Sequence, residues 1–322
     1  MVAKRALIAG GAGFLGSHLC DRLLVDGFEV ACVDNLCTGR LENIKHLKGN
    51  KKFKFFKADV VKPLPVGASR GKYDLIFNLA SPASPIDYQK LSIQTLLVGA
   101  YGTKNLLDLA LQKKAVYVHA STSEVYGDPE IHPQVETYWG NVNPIGPRSM
   151  YDEAKRFAEA LCVAYFRQKN LDVRLLRIFN TYGPRLRKDD GRVVCNFVGQ
   201  ALRGQPLTVY GDGSQTRSFC YVDDLIEGMM LIARAPKKVA SGMVSGEAFN
   251  VGNPAEHSIL EFAEKVRAML NPRVQIIFKP LPTDDPKRRK PDITKMQKYF
   301  GWRPKVPLED GLEKTAEYFA KA

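Results

Sequence analysis

The chain has 322 residues and a formal net charge of +13, from 47 Lys and Arg against 34 Asp and Glu. That length suffices for a sizeable core in two lobes. No apolar run approaches the ~18 residues a membrane span needs, and the basic residues are dispersed, without a nucleic-acid motif beside them. The excess charge fits a cleft that gathers an anionic small molecule.

Arg5–Ala9 is a short apolar run of the kind expected for a buried parallel strand. The N-terminal segment leads straight into it with no signal-peptide pattern, so a cytoplasmic protein is expected. The run feeds Gly10, Gly13 and Gly16, spaced G-x-x-G-x-x-G around Phe14 and Leu15, and a helical pattern follows over Ser17–Val25. Such glycines permit a tight turn, close approach of a pyrophosphate and tight helix–strand packing. A second strand, Glu29–Val33, ends at Asp34 and Asn35. Asp34 is placed to accept hydrogen bonds from ribose hydroxyls and to repel a 2′-phosphate, which favours NAD over NADP.

Strands are expected at 52–57, 73–79, 115–120 and 172–178, with helices at 91–112 and 151–168. Repeated β–α units indicate an α/β fold: a doubly wound parallel-sheet Rossmann domain over residues 1–180. After residue 180, prolines and glycines punctuate short segments. Residues 181–322 are therefore expected to form a smaller substrate-binding α/β lobe, with 217–234 returning to the large domain as a strand (217–222) and a helix (223–234). A last amphipathic helix is expected at 308–318.

Active sites in such sheets gather beyond the carboxyl ends of strands. Ser81–Pro85, Thr122–Glu124 and Asn180 each follow a strand end. Tyr151 and Lys155, at i and i+4, share one face of a helix. A nearby ammonium favours a phenolate, and a phenol tuned in this way can take a proton from an alcohol while a cofactor takes the hydride. Six cysteines (20, 32, 37, 162, 195, 220) and five histidines show no metal-ligand spacing, and several cysteines sit in apolar patterns as reduced core residues.

The glycine fingerprint with Tyr-x-x-x-Lys resembles the extended short-chain dehydrogenase/reductase superfamily. SPASPIDY (81–88), STSEVYGDP (121–129), HPQVETYWGNVNPIG (132–146), YDEAKR (151–156), RIFNTYGPR (177–185), DGRVVCNF (190–197), QTRSFCYV (215–222) and RKPDI (289–293) resemble, more narrowly, the UDP-glucuronate decarboxylases, also called UDP-xylose synthases. The likeness covers essentially the whole chain. Cys195 and Ala154 depart from it, standing where Ser and Gly are expected.

The resemblance implies that Tyr151 is the base, that Lys155 lowers its pKa and binds the nicotinamide ribose, and that Thr122 hydrogen-bonds the sugar hydroxyl being oxidised. Asp59 and Val60 resemble an adenine-binding pair, and Leu79 and Ala80 complete the NAD contacts. Pro82, Ser84, Tyr88, Ser123, Arg185 and Val194 fall among the implied substrate contacts. Asn180 and Arg217 match diphosphate-binding positions, Tyr210 is placed to pack on uridine, and Arg192 is a further nucleotide contact. Glu124 and Arg289 match the pair that handles the carboxylate. No metal is implied, and a homodimer is expected through the helices near 91–112 and 151–168.

The implied reaction oxidises C4, so that the C6 carboxylate becomes that of a β-keto acid. Carbon dioxide leaves, and the C4 ketone is reduced again. UDP-sugar 4-epimerases and 4,6-dehydratases share the first step. A dehydratase carries an Asp between the residues matching Thr122 and Glu124, where this chain has Ser123. An epimerase lacks the acid at 124 and the RKPD element. A non-catalytic NAD-binding protein on the same fold would be expected to break the Thr–Tyr–Lys set, which is intact here.

Overall fold

The computed structural model of the chain describes residues 4–281 and 287–321. Its centre is a seven-stranded, all-parallel sheet. The strands are β1 (Arg5–Ala9), β2 (Glu29–Asp34), β3 (Phe53–Lys57), β4 (Leu75–Asn78), β5 (Val116–Thr122), β6 (Val173–Ile178) and, from far along the chain, β7 (Ala248–Val251). Their spatial order is β7-β6-β5-β4-β1-β2-β3. The order reverses at β1 and β4, the topological switch point at which such sheets bind ligands.

Both faces of the sheet are covered, as continuous apolar strands require. Because side chains alternate along a strand, Ala6 and Ile8 of β1 pack with Leu19 and Leu23 of helix α1 (Phe14–Val25). Leu7 and Ala9 face the other way, toward Leu106 and Ala110 of α2 (Thr103–Lys113) and Cys162 of α3 (Ser149–Lys169). The helix α4 (Val222–Arg234) lies against α1, β6 and β7. All six cysteines are free thiols, and all but Cys37 are buried.

Three details differ from the sequence expectation. The helix expected at 91–112 runs without a break but carries a wide π turn at Val98–Gly102, between Ser92–Leu97 and α2. Two glycines bring this turn close to its neighbours. A Cβ on Gly99 would lie 2.7 Å from that of Ala154 on α3, and one on Gly102 would lie 2.9 Å from Val60. The methyl of Ala154, where the family resemblance leads one to expect Gly, is thus accommodated by Gly99.

The strand expected at 217–222 is two pieces in different sheets. Thr216–Ser218 pairs with Glu256–Ser258 and Arg288–Arg289, whereas Cys220–Tyr221 pairs with Thr181–Tyr182. Phe219 separates them, buried and stacked on Phe262 at 4.3 Å.

β7 is the third difference. It lies within the expected small lobe yet closes one edge of the large sheet beside β6. Asn250, fully buried on β7, donates through Nδ2 to the carbonyls of Gln134 (2.9 Å) and Asp292 (3.1 Å) and accepts from the Tyr126 hydroxyl at 2.8 Å. The backbone of Gln134 is bonded in turn to Lys290 and Asp292. Hydrogen bonds thus tie the sheet edge to the 132–136 and 289–292 segments.

Candidate active site

The glycine turn is built as the spacing anticipates. Gly10 adopts φ +80°, and a Cβ there would lie 2.8 Å from the Leu79 backbone. At Gly16 a Cβ would fall 2.1 Å from the Gly10 carbonyl oxygen. Gly13 differs: its Cβ would meet nothing closer than that oxygen, at 3.2 Å. Its other side is open toward the cleft. Gly13 also caps α1, with no side chain on the cap and no acid in the first turn. Free N–H groups and the helix dipole at this end suit a pyrophosphate, and the open cradle at Gly13 fits a dinucleotide.

Asp34, at the end of β2, accepts the Ala12 N–H at 3.0 Å and the Leu36 N–H at 2.8 Å. Burial raises its pKa, and these backbone donors oppose the rise. Nearby, Asn35 donates to Asp59 at 3.3 Å, and Asn105 donates to the Val60 carbonyl at 2.9 Å. Ala80 donates its N–H to Asn78 at 3.2 Å.

A cleft of about 640 Å³ runs from this turn to the small lobe. Gly10, Gly13, Phe14, Leu15, Gly16 and Leu79 form one end. Asp34, Asn35, Asp59, Val60, Ala80 and Pro82 do not line it. The other end is formed by residues from the small lobe and nearby loops, including Asn180, Arg185, Arg192, Val194, Tyr210 and Arg217. Ser84, which caps a short helix by accepting the Asp87 N–H at 3.1 Å, lies on the wall with Ser123. Several of the cations are already engaged: Arg185 with Asp21 at 2.7 Å, Arg192 with Asp190 at 2.9 Å and Arg217 with its neighbouring carbonyl at 2.8 Å.

The middle of the cleft holds the Thr122–Tyr151–Lys155 set. β5 ends at Thr122, whose Oγ1 accepts the Glu124 N–H at 3.2 Å as the chain turns into a short 3₁₀ segment. α3 presents Tyr151 and Lys155 from the opposite side. Tyr88 stacks on Tyr151 with ring centroids 5.0 Å apart and planes 8° from parallel.

The Tyr151 phenol is pushed up to about 12 by burial, and the main influence drawing it down is a hydrogen bond with Thr122. Lys155 lies one turn further along the same helix. Its ammonium donates to the Ala120 carbonyl at 2.7 Å, stands 5.8 Å from the Tyr151 ring centroid and is itself lowered to about 8 by burial. Burial disfavours both charged forms, raising the phenol and lowering the ammonium.

Glu124 lies between two guanidiniums. Arg289 reaches it through both terminal nitrogens, with Nη2 3.0 Å from Oε2, and Arg148 Nη2 donates to the same Oε2 at 2.5 Å. Their charges hold Glu124 at about 2 despite its burial. It is therefore an ionised acceptor in this arrangement, with no proton to give at neutral pH. Arg289 is 3% exposed, whereas its strand neighbour Arg288 is exposed.

Two members of this cluster were not anticipated from the sequence. Arg148 immediately precedes α3 and, like Glu124 and Arg289, lines the cleft. Asp152, on the first turn of α3, is buried with Oδ1 unpartnered, and burial together with Glu124 pushes its pKa up to about 7. The signal available in the sequence was their position beside Tyr151, which becomes informative only once Glu124 and Arg289 are brought alongside.

The geometry accords with relatives of known type. A family model described as GDP-mannose 4,6-dehydratase matches residues 7–315. The chain is 52% identical over 318 residues to UDP-glucuronic acid decarboxylase 1 of Danio rerio, covering 99% of this chain and 73% of that protein. It is also 52% identical over 308 residues to UDP-glucuronic acid decarboxylase 4 of Arabidopsis thaliana, covering 96% and 67%. Among solved structures, UDP-glucuronic acid 4-epimerase from Bacillus cereus, in complex with UDP-glucuronic acid and NAD, aligns with a TM-score of 0.87 at 29% identity, covering 98% of this chain and 99% of that one. UDP-glucose 4-epimerase from Thermotoga maritima gives 0.87 at 28%, with the same coverage. On the family match and the near-full-length identity, the chain belongs to the GDP-mannose 4,6-dehydratase family of the extended short-chain dehydrogenase/reductases and, within it, to the UDP-glucuronic acid decarboxylases.

Proposed function

We propose that the protein is an NAD-dependent decarboxylase of UDP-glucuronate and that its product is UDP-xylose. The observation that carries this reading over an epimerase or a dehydratase is the Arg289–Glu124 pair, buried in the cleft that also holds Tyr151 and Thr122. Ser123, whose hydroxyl is a far weaker acid than a carboxyl group, stands where a dehydratase carries Asp.

The glycine turn and the N-terminus of α1 would hold NAD, together with Asp34, Asn35, Asp59, Val60, Leu79 and Ala80. When bound, NAD accepts a hydride during oxidation at C4 and returns it at the end. Tyr151 takes the proton of the C4 hydroxyl, and Thr122 keeps that hydroxyl and the phenol in register. Lys155, fixed on the Ala120 carbonyl, is placed to orient the ribose. Arg289 turns the C6 carboxylate out of the ring plane, and the electrons of the broken C5–C6 bond enter the C4 enolate. Cations around that oxygen stabilise the developing charge. Glu124 would stand near C5, where the enolate must take up a proton; being ionised, it would relay that proton from solvent rather than give up one of its own. Asn180, Arg185, Arg192 and Arg217 would bind the diphosphate, with Tyr210 against uridine and Ser84, Tyr88 and Val194 around the sugar.

The same proposal gives residues 1–180 chiefly to NAD and 181–322 chiefly to the UDP-sugar, with 217–234 returning to the large domain. It makes the protein a homodimer through the helices near 91–112 and 151–168. Supporting this, Ile93 (69% exposed), Tyr101 (57%) and Phe157 (51%) are exposed large apolar residues on these helices. It also places the enzyme in the cytoplasm, in keeping with six free thiols.

The test is incubation of purified protein with UDP-glucuronate and a trace of NAD, followed by mass analysis of the sugar nucleotide and detection of CO₂. Loss of CO₂ is expected. Unchanged mass with inverted C4, or loss of water, would sink the proposal.

A further inference from the structure

The cluster around Glu124 carries more charge than orienting a carboxylate through Arg289 alone requires. Glu124 is ionised and contributes −1 beside Arg289. That pair on its own is neutral, and an incoming sugar carboxylate would meet the Glu124 anion as closely as the Arg289 cation. Arg148 changes the balance. It is half-enclosed on the cleft wall, its guanidinium is 2.5 Å from Glu124 Oε2, and its own backbone carbonyl accepts the N–H groups of Tyr151 (3.0 Å) and Asp152 (3.2 Å). Two guanidiniums against one carboxylate leave the site at +1. Asp152 is the other acid facing this cluster. Buried and raised to about 7, it leaves most of that charge in place below neutrality.

We propose that Arg148 is a specificity-determining residue: by offsetting the charge of Glu124 it leaves the Arg289–Glu124–Arg148 cluster with a net positive charge to receive a carboxylate, so the cleft selects a sugar nucleotide with a C6 carboxylate over one with a C6 hydroxymethyl group. This inference rests on the functional reading above, with UDP-glucuronate as the charged ligand and UDP-glucose as its neutral counterpart. A substrate carboxylate brings the cluster to zero, and its departure as CO₂ restores the +1 next to the newly formed enolate. A single Arg could orient a carboxylate, but only the second cation makes the site prefer one while Glu124 stays ionised.

The experiment compares calorimetric affinities for UDP-glucuronate, UDP-glucose and UDP on NAD-loaded protein carrying Tyr151→Phe, which prevents turnover. Adding Arg148→Gln should cost UDP-glucuronate about tenfold or more, while UDP-glucose and UDP change by less than about twofold. Arg148→Lys should recover part of the preference, because charge rather than fork geometry sets the balance. Equal losses for both sugars would make Arg148 a support for α3 only, and no loss would remove it from the site; either overturns the proposal. Should Arg148→Gln not fold, Glu124→Gln in the same background gives the converse reading. With the anion gone the site stands at +2, so preference for UDP-glucuronate must rise, and an unchanged ratio overturns the proposal. Because affinity is read without turnover, these outcomes are distinct from failure of the unmodified enzyme to release CO₂, which would sink the functional reading instead.

Discussion

Arg289 and Glu124 lie 165 positions apart in the chain and meet through both arms of one guanidinium, with Nη2 3.0 Å from Oε2. Neither has another buried partner of comparable strength except Arg148, which shares Glu124. On the proposed mechanism, replacing Arg289 should act on the carboxylate step and leave Tyr151 and Thr122 in place. Arg289→Gln should lower CO₂ release by about 10²–10³ while a single turnover still shows the NADH band. Tyr151→Phe should abolish that band. Near-normal CO₂ release by Arg289→Gln would remove it from the chemistry.

The phenol of Tyr151 is raised by burial and drawn down mainly by its hydrogen bond with Thr122. Loss of that bond moves the phenol further up. Thr122→Ala should therefore shift the rising limb of the kcat/KM–pH profile to higher pH and lower kcat/KM by about tenfold or more, whereas Thr122→Ser should keep the limb in place. A pH profile of Thr122→Ala that overlays the parent's would show the bond to be without effect on the base.

Asp152 has a folded pKa raised to about 7 from its usual 3.8. The folded state holds this proton more tightly than the unfolded chain, so the group's contribution to stability falls as pH rises from about 4 to about 7 and is fully lost above. Asp152→Asn cannot ionise. It should be more stable than the parent at pH 8, by on the order of 1 kcal/mol or more, and the advantage should fade toward pH 4. Urea melts at pH 4.5, 6 and 8 measure the difference; a constant offset would show that Asp152 ionises normally.

Gly13 and Gly16 separate ligand approach from packing. Gly16→Ala would place a methyl 2.1 Å from the Gly10 oxygen and should destabilise the fold by roughly 1–3 kcal/mol or more. Gly13→Ala meets only that oxygen, at 3.2 Å. It should melt within about 1 kcal/mol of the parent yet bind NAD at least about tenfold more weakly. Equal NAD affinity in Gly13→Ala would show that the pyrophosphate does not approach this cradle.

The elements most legible in the sequence were those whose signals are local. β1, the glycine turn and α1 follow from three glycine positions and an apolar run, and the i,i+4 spacing of Tyr151 and Lys155 alone places them on one helical face. Signals that depend on distant segments were weaker. β7 is only AFNV, four residues with no periodicity of their own, and becomes a sheet strand through the edge of β6. Arg288 and Arg289 are chemically alike, and the two-residue alternation of a short strand decides which of them is buried. The spacing of Tyr151 and Lys155 carried no information about how deeply both groups would be buried or that the Ala120 carbonyl would take the ammonium.

The way Asn250 ties β7 to the 134 and 292 carbonyls has a consequence for how the enzyme is made. β7 pairs with β6 across a separation of 73 residues, as in Ala248 beside Leu175. Contacts that close such long loops form late. A nascent chain can assemble β1 through β6 and much of the dinucleotide site before β7 has been synthesised, but Arg289 is brought in only when the Asn250 staple closes. The segments that close the carboxylate end of the cleft are therefore synthesised well after the glycine turn and depend on the β7 edge for their placement.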